Sequence, residues 1–228
     1  MVARLGDATW SELYDLNRRP LLAVPVGSCE QHGPHLPLDT DTRIALALAE
    51  GLVRSFAPGD VMVAPALTVT SSGEHAGFPG TLSLGNAVVE AMIVELVRSA
   101  DWSSGVVLVN GHGGNAEPVR RAVSTLTKEK RKVLAWWPRS HGGDAHAGAS
   151  ETSLLLAIAP DLVRRERAVV GRTEHITDLI DELRAGGVRS VSSNGVLGDP
   201  RGATAAHGRS LLTRLTIDLV AAVDEWWQ

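Results

Sequence analysis

Cysteine is nearly absent. Cys29 stands alone among 228 residues, which excludes an internal disulfide and any zinc site built on cysteines. A metal in this chain would need histidine and carboxylate ligands. A surplus of positive charge is missing as well: 22 Lys and Arg face 26 Asp and Glu. Nothing in that balance favours nucleic acid or an anionic membrane as a partner. Long apolar runs are also lacking, since a stretch such as Leu154 to Ala159 is far too short to span a bilayer. The opening "MVARLGDATWSELYD" has no apolar segment of the signal-peptide kind. The expectation is a cytoplasmic protein with neither membrane nor nucleic acid as partner. No repeat, low-complexity tract or linker divides the sequence, and its length suffices for one sizeable core. One domain over 1–228 is expected.

What is present is an alternation. Apolar, β-rich stretches recur at Leu21 to Val26, Val61 to Ala66, Val106 to Asn110 and Val133 to Trp137, and they read as buried strands. Helical patterns lie between them, from Thr40 to Ser55, Asn86 to Ala100 and Glu117 to Arg131. This order predicts an α/β fold with a mostly parallel sheet. Thr9 and Glu12 form a T-x-x-E capping box for a short early helix. Ser150 is placed to cap a helix from Glu151 to Ala159, stopped by Pro160. A long last helix runs from about Ala205 to Trp227, and the Gly- and Ser-rich segment 184–208 before it reads as a long loop.

Ionisable residues cluster just after the predicted strands, where open α/β sheets keep their ligands. Glu30 and His32 follow the first strand, and a turn through Gly33, Pro34 and Pro37 can return Asp39 or Asp41 to them. Glu74 and His75 follow the second strand, His112 lies in "NGHGGN" after the third, and Asp144, His146 and Glu151 come after the fourth. Acids packed together repel unless a cation lies between them, so the ensemble reads as a candidate metal site. Two other motifs compete. Gly111 to Ala116 is a literal G-x-G-x-x-A, the dinucleotide-binding fingerprint, but the next strand ends in "WWPRS" with no acid for a ribose and only Arg139 to greet a phosphate. His112-Gly113-Gly114 echoes the oxyanion loop of esterases, yet no G-x-S-x-G elbow exists to carry their serine. Cys29 reads as a small buried residue rather than a nucleophile.

The ordered motifs "GSCEQHGPHLPLDTD", "FPGTLSLG", "NGHGGN" and "HAGASETS" together resemble the creatininase family of metal-dependent amidohydrolases. The resemblance implies a three-layer αβα sandwich with a mostly parallel sheet and two divalent metal ions per subunit, iron, zinc or manganese, that activate water. It implies that Asp41 bridges the metals, that Glu30 and His112 complete one site, and that His32 contributes to the other. The acid that creatininase carries two residues after the glycine-loop histidine is here Gly114, so Glu151 is the expected substitute. His146, five residues before Glu151, matches the family's catalytic histidine and is the expected general acid. Asp144 would orient it, and Glu74 and His75 would line the substrate pocket. "SSGEHAGFPGTLSLG", "GGDAHAGASETS" and "NGVLGDPRGATAAHG" carry a closer likeness to members that cut a modified precursor peptide near its C-terminus. Hydrolysis of a small lactam or formamide is the alternative, with a nicotinamide-binding oxidoreductase or a catalytically silent scaffold behind it. The family's ring assemblies imply a homo-oligomer, a hexamer or similar.

Overall fold

Strand β1 (Leu21–Val26) is buried along its whole length, as a strand covered on both faces must be. In the computed structural model, which describes residues 4–138 and 144–227, it pairs in parallel with β2 (Val61–Val63) on one side and β3 (Gly105–Asn110) on the other. Strand β4 (Val133–Trp136) adds in parallel to β3, giving the order β2-β1-β3-β4. Alternate residues face opposite layers. Leu21, Ala23, Val61, Val63, Val107 and Val109 join one core with helices α2 (Thr40–Ser55), α5 (Ala149–Ile158) and α8 (Ala205–Trp227). Leu22, Val24, Met62, Val106 and Leu108 join the other with α3 (Asn86–Ser99) and α4 (Ala116–Lys128). The result is the expected three-layer αβα sandwich.

The first crossover, through α2, and the next two, through α3 and α4, lie on opposite faces and step in opposite directions from β1. The chain order therefore reverses between β1 and β3, which opens a crevice above their C-terminal ends. The loops holding Glu30 and His112 leave the sheet there.

Several expected boundaries move. Strand β2 stops at Val63, because Pro65 has no N–H to extend the ladder; the chain rejoins β1 at Leu67, whose N–H donates to Pro25 O at 2.9 Å. Helix α4 ends at Lys128, and Lys130 adopts a left-handed φ of 60° that turns the chain away. The capping box on Thr9 forms as predicted and starts α1 (Trp10–Tyr14). Ser150 does not cap α5. That helix begins two residues before the expected Glu151, at Ala149, and its first N–H donates to the Asp144 carboxylate. Segment 184–208 is not a continuous loop either. It contains the end of α6 (Ile176–Gly186), α7 (Val188–Val191) and a 3₁₀ turn at Pro200–Gly202. Leu179, Val191 and Leu197 form a small satellite core that holds these pieces.

Candidate metal centre

Asp41 lies in the first turn of α2, buried, and offers its two oxygens to two different histidines. Oδ1 is 3.1 Å from His32 Nε2, and Oδ2 is 3.1 Å from His112 Nδ1. Carbonyl oxygens only accept, so the other nitrogen of each ring must be a donor: His32 Nδ1 to Glu30 O at 3.2 Å, His112 Nε2 to Ser71 O at 2.7 Å. Each imidazole is thus anchored to the backbone on one side and aimed at Asp41 on the other, the arrangement that orients metal-bound histidines. Ser28 Oγ donates to Asp41 Oδ2 at 2.8 Å and steadies the carboxylate.

Glu30 is fully buried, and neither carboxylate oxygen has a hydrogen-bond partner among the described residues. His112 Nε2 lies 3.2 Å from Oε2, but a buried carboxylate that accepts no hydrogen bond is costly, and a cation is what relieves it. Donor atoms of Glu30, Asp41 and His112 come within 4.8 Å of one another, and so do those of His32, Asp41 and Glu151. Both groups of residues fit a divalent ion, with Asp41 common to the two, and donor atoms of Glu30, His32 and His146 and of Glu30, Glu74 and His75 come equally close. Glu151, in the first turn of α5, places Oε2 at 3.9 Å from His32 Nε2 and accepts the Ala147 N–H at 2.6 Å.

The electrostatics follow from burial and proximity. Burial pushes the Glu30 carboxyl up to about 8, despite the pull of His112. Burial opposes charge on His32 and His112, but Asp41 lifts His32 to about 10, and Glu30 with Asp41 lifts His112 to about 9. Burial would raise Asp41 too, yet the two imidazoles hold it well below the usual carboxylate range. Protons on His32 and His112 occupy the places that fit cations. His75 and His146 go the other way. Burial and the charge on His32 push His75 down to about 3 and His146 well below the ordinary histidine range.

His146 is gripped from two sides. Its backbone pairs with Leu197, which donates to His146 O at 2.9 Å and accepts from His146 N at 3.2 Å. Its ring Nε2 lies 2.8 Å from Gln31 O and 3.1 Å from Gln31 Nε2. Among the described residues Asp144 makes no hydrogen bond to His146; its carboxylate holds the start of α5 and lines a cavity of about 590 Å³ together with His112 and Glu151. Sequence reasoning had no signal for Gln31, whose side chain also reaches His75 Nδ1 at 2.9 Å and Gly195 O at 3.0 Å. Glu74 Oε1 stands 3.5 Å from His112 Nε2, at the rim. His35, in the same loop as Glu30, packs inward and bonds Thr152 Oγ1 at 2.8 Å, while Asp39 pairs with Arg43 at the surface.

The glycine loop serves packing. A Cβ at Gly111 would stand 2.5 Å from Asp41 O, and one at Gly114 would stand 2.4 Å from His112 Nε2. Asn115 crosslinks this loop to the first by donating to Gly27 O at 3.0 Å. These contacts use the glycines that a dinucleotide fingerprint would need, and Arg139 lies outside the described residues.

The creatininase family profile, described as creatinine amidohydrolase, matches residues 6–223. This chain belongs to the creatininase family. It is 47% identical to the mycofactocin precursor peptide peptidase of Mycolicibacterium smegmatis over 97% of this chain and 91% of that one. Among solved creatininase-family structures, a creatininase point mutant superposes with a TM-score of 0.84 at 25% identity, covering 100% of this chain and 99% of the other. A manganese creatininase (TM-score 0.83, 24% identity) and a mutant described as Zn–Zn type (0.83, 23%) each cover 99% of both chains and share the fold.

Proposed function

We propose that this chain, a single creatininase-like metallohydrolase domain, hydrolyses amide bonds with two divalent ions per subunit. Its substrate on this reading is the modified mycofactocin precursor peptide, cut near its C-terminus to release a Val-Tyr-derived dipeptide. It would act in the cytoplasm as a homo-oligomeric ring. The observation that carries the chemistry is Asp41, whose two oxygens face two backbone-anchored histidines beside the Glu30 carboxylate, which accepts no hydrogen bond among the described residues. The likeness at 47% identity carries the substrate.

Glu30, Asp41 and His112 would hold one ion, and His32, Asp41 and Glu151 the other. Such ions supply Lewis acidity, lowering the pKa of water and polarising an amide carbonyl. His146 handles the proton. Its Nε2 must donate to Gln31 O, which leaves Nδ1 bare and facing Glu30 Oε1 at 3.9 Å. A neutral imidazole so placed accepts a proton from the attacking water and passes it to the departing nitrogen, which cannot leave as an amide anion. His146 thus acts as a base before it acts as the expected acid. Glu74 and His75 border the site beside Glu30, and Asp144 shapes the adjoining cavity.

The test is a hydrolysis panel of the modified peptide, creatinine and a formamide, with products identified by mass spectrometry. Cleavage of the peptide alone is expected. Turnover of creatinine or the formamide in its place would move the chain to a small-molecule amidohydrolase, and no turnover with iron, zinc or manganese supplied would end the hydrolase reading.

A further inference from the structure

Gln31 sets the ring protons of two imidazoles that face one carboxylate oxygen, Glu30 Oε1. Its side-chain amide has two hydrogens and three neighbours: His75 Nδ1 at 2.9 Å, Gly195 O at 3.0 Å and His146 Nε2 at 3.1 Å. The third is already a donor, because it lies 2.8 Å from the carbonyl of Gln31. The amide hydrogens therefore go to Gly195 O and His75 Nδ1. The amide cannot be flipped, since Gln31 Oε1 accepts the Gly33 N–H at 2.8 Å. His75 Nδ1 is consequently an acceptor, and its one proton sits on Nε2.

That Nε2 lies 3.4 Å from Glu30 Oε1, an oxygen that accepts no hydrogen bond among the described residues. The bare Nδ1 of His146 faces the same oxygen from 3.9 Å. The two rings lie 4.5 Å apart, centre to centre. Beside this oxygen one ring offers an N–H and its neighbour offers a lone pair.

We infer that His75 is a second catalytic imidazole, whose Nε2–H donates a hydrogen bond to the substrate carbonyl oxygen as charge develops there, with Gln31 as the positioning residue that keeps the proton on that nitrogen. The inference rests on the amide-hydrolase reading above and adds a donor to it. In the step, the water oxygen bonds to the carbonyl carbon and the C–N bond breaks. One water proton travels through His146 to the leaving nitrogen, and the other remains on the new carboxyl group until solvent takes it. The proton of His75 is never transferred. A preorganised donor of this kind strengthens its bond as the oxygen becomes negative.

The test uses the full-length, zinc-loaded protein and three measurements: metal content, hydrolysis of the peptide panel, and long-range ¹H–¹⁵N spectra of the histidines. His75→Ala is expected to retain two metal equivalents and lose on the order of 10²-fold in kcat, the effect of deleting one oxyanion donor. Gln31→Glu keeps the shape but offers acceptors only, so it should move the His75 proton from Nε2 to Nδ1 in the spectra and lower kcat comparably. A wild-type spectrum with the His75 proton on Nδ1 would overturn the inference whatever the activity. So would His75→Ala with kcat within about threefold of wild type, or with one metal equivalent lost, which would make His75 a ligand. Those results leave the hydrolase reading standing; a wild-type protein that hydrolyses nothing removes both.

Discussion

Asp41 is the residue on which both proposed metal sites depend, and its removal separates them from ordinary ligand loss. Asp41→Asn should lower the bound metal of the purified protein from two equivalents towards none, whereas His112→Ala should lose one; elemental analysis of dialysed protein reads the difference. The protons that His32 and His112 hold without metal give a pH dependence with a definite sign. Their values of about 10 and about 9 lie above the ordinary 6.5, so the folded chain binds more protons than the unfolded chain between those limits. Their stabilisation is complete below about pH 6.5 and disappears as pH rises through 9 to 10. The melting temperature of the metal-free protein should fall across that window, and zinc should flatten the fall because the ion replaces the protons. At this scale the residue types were legible in the sequence. Spacing and likeness picked out Glu30, His32, Asp41, His112 and Glu151, which the fold brings together, but nothing marked Gln31, because an amide between a glutamate and a histidine has no pattern of its own.

Among the elements, α8 lies against the backbone of α5 at Gly208. A Cβ there would stand 1.8 Å from Ser153 O, a backbone atom that cannot swing aside. Helix propensity alone favours Ala over Gly by about 1 kcal/mol, but overpacking of this kind costs about 1–3 kcal/mol. Gly208→Ala should therefore lower stability in a denaturant titration. Gly202→Ala, with nothing within 4 Å of the added atom, should change it by less than about 0.5 kcal/mol. Helix α2, strand β1 and helix α8 keep the boundaries their periodicity predicted, because each buries a continuous apolar face. The 184–208 segment was illegible for the opposite reason. Its apolar residues are few and pack on one another in a satellite core, and Gly195 stands in it with φ 78° so that Gln31 can approach.

For the molecule as a whole, the two cores on either side of the sheet share the burden of holding the crevice open at its switch point. Leu219 on one side and Leu126 on the other are fully buried. Cutting either to Ala should cost about 2–5 kcal/mol and lower the melting temperature while the folded protein still binds two metal equivalents, since neither touches the site. The fold class could be read from alternation alone, because parallel sheets leave so regular a trace. Convergence of the four ionisable loops could not, since periodicity assigns a residue to a face but not one loop to another.

The spread of the site along the chain also bears on its synthesis. Glu30, His32 and Asp41 leave the ribosome early, His112 only after β3, and Glu151 only with α5. A growing chain can therefore close the Glu30–Asp41–His112 site long before the His32–Asp41–Glu151 site exists. On the proposed ligand assignment the second site, unlike the first, can be built only in a chain whose sheet is already complete.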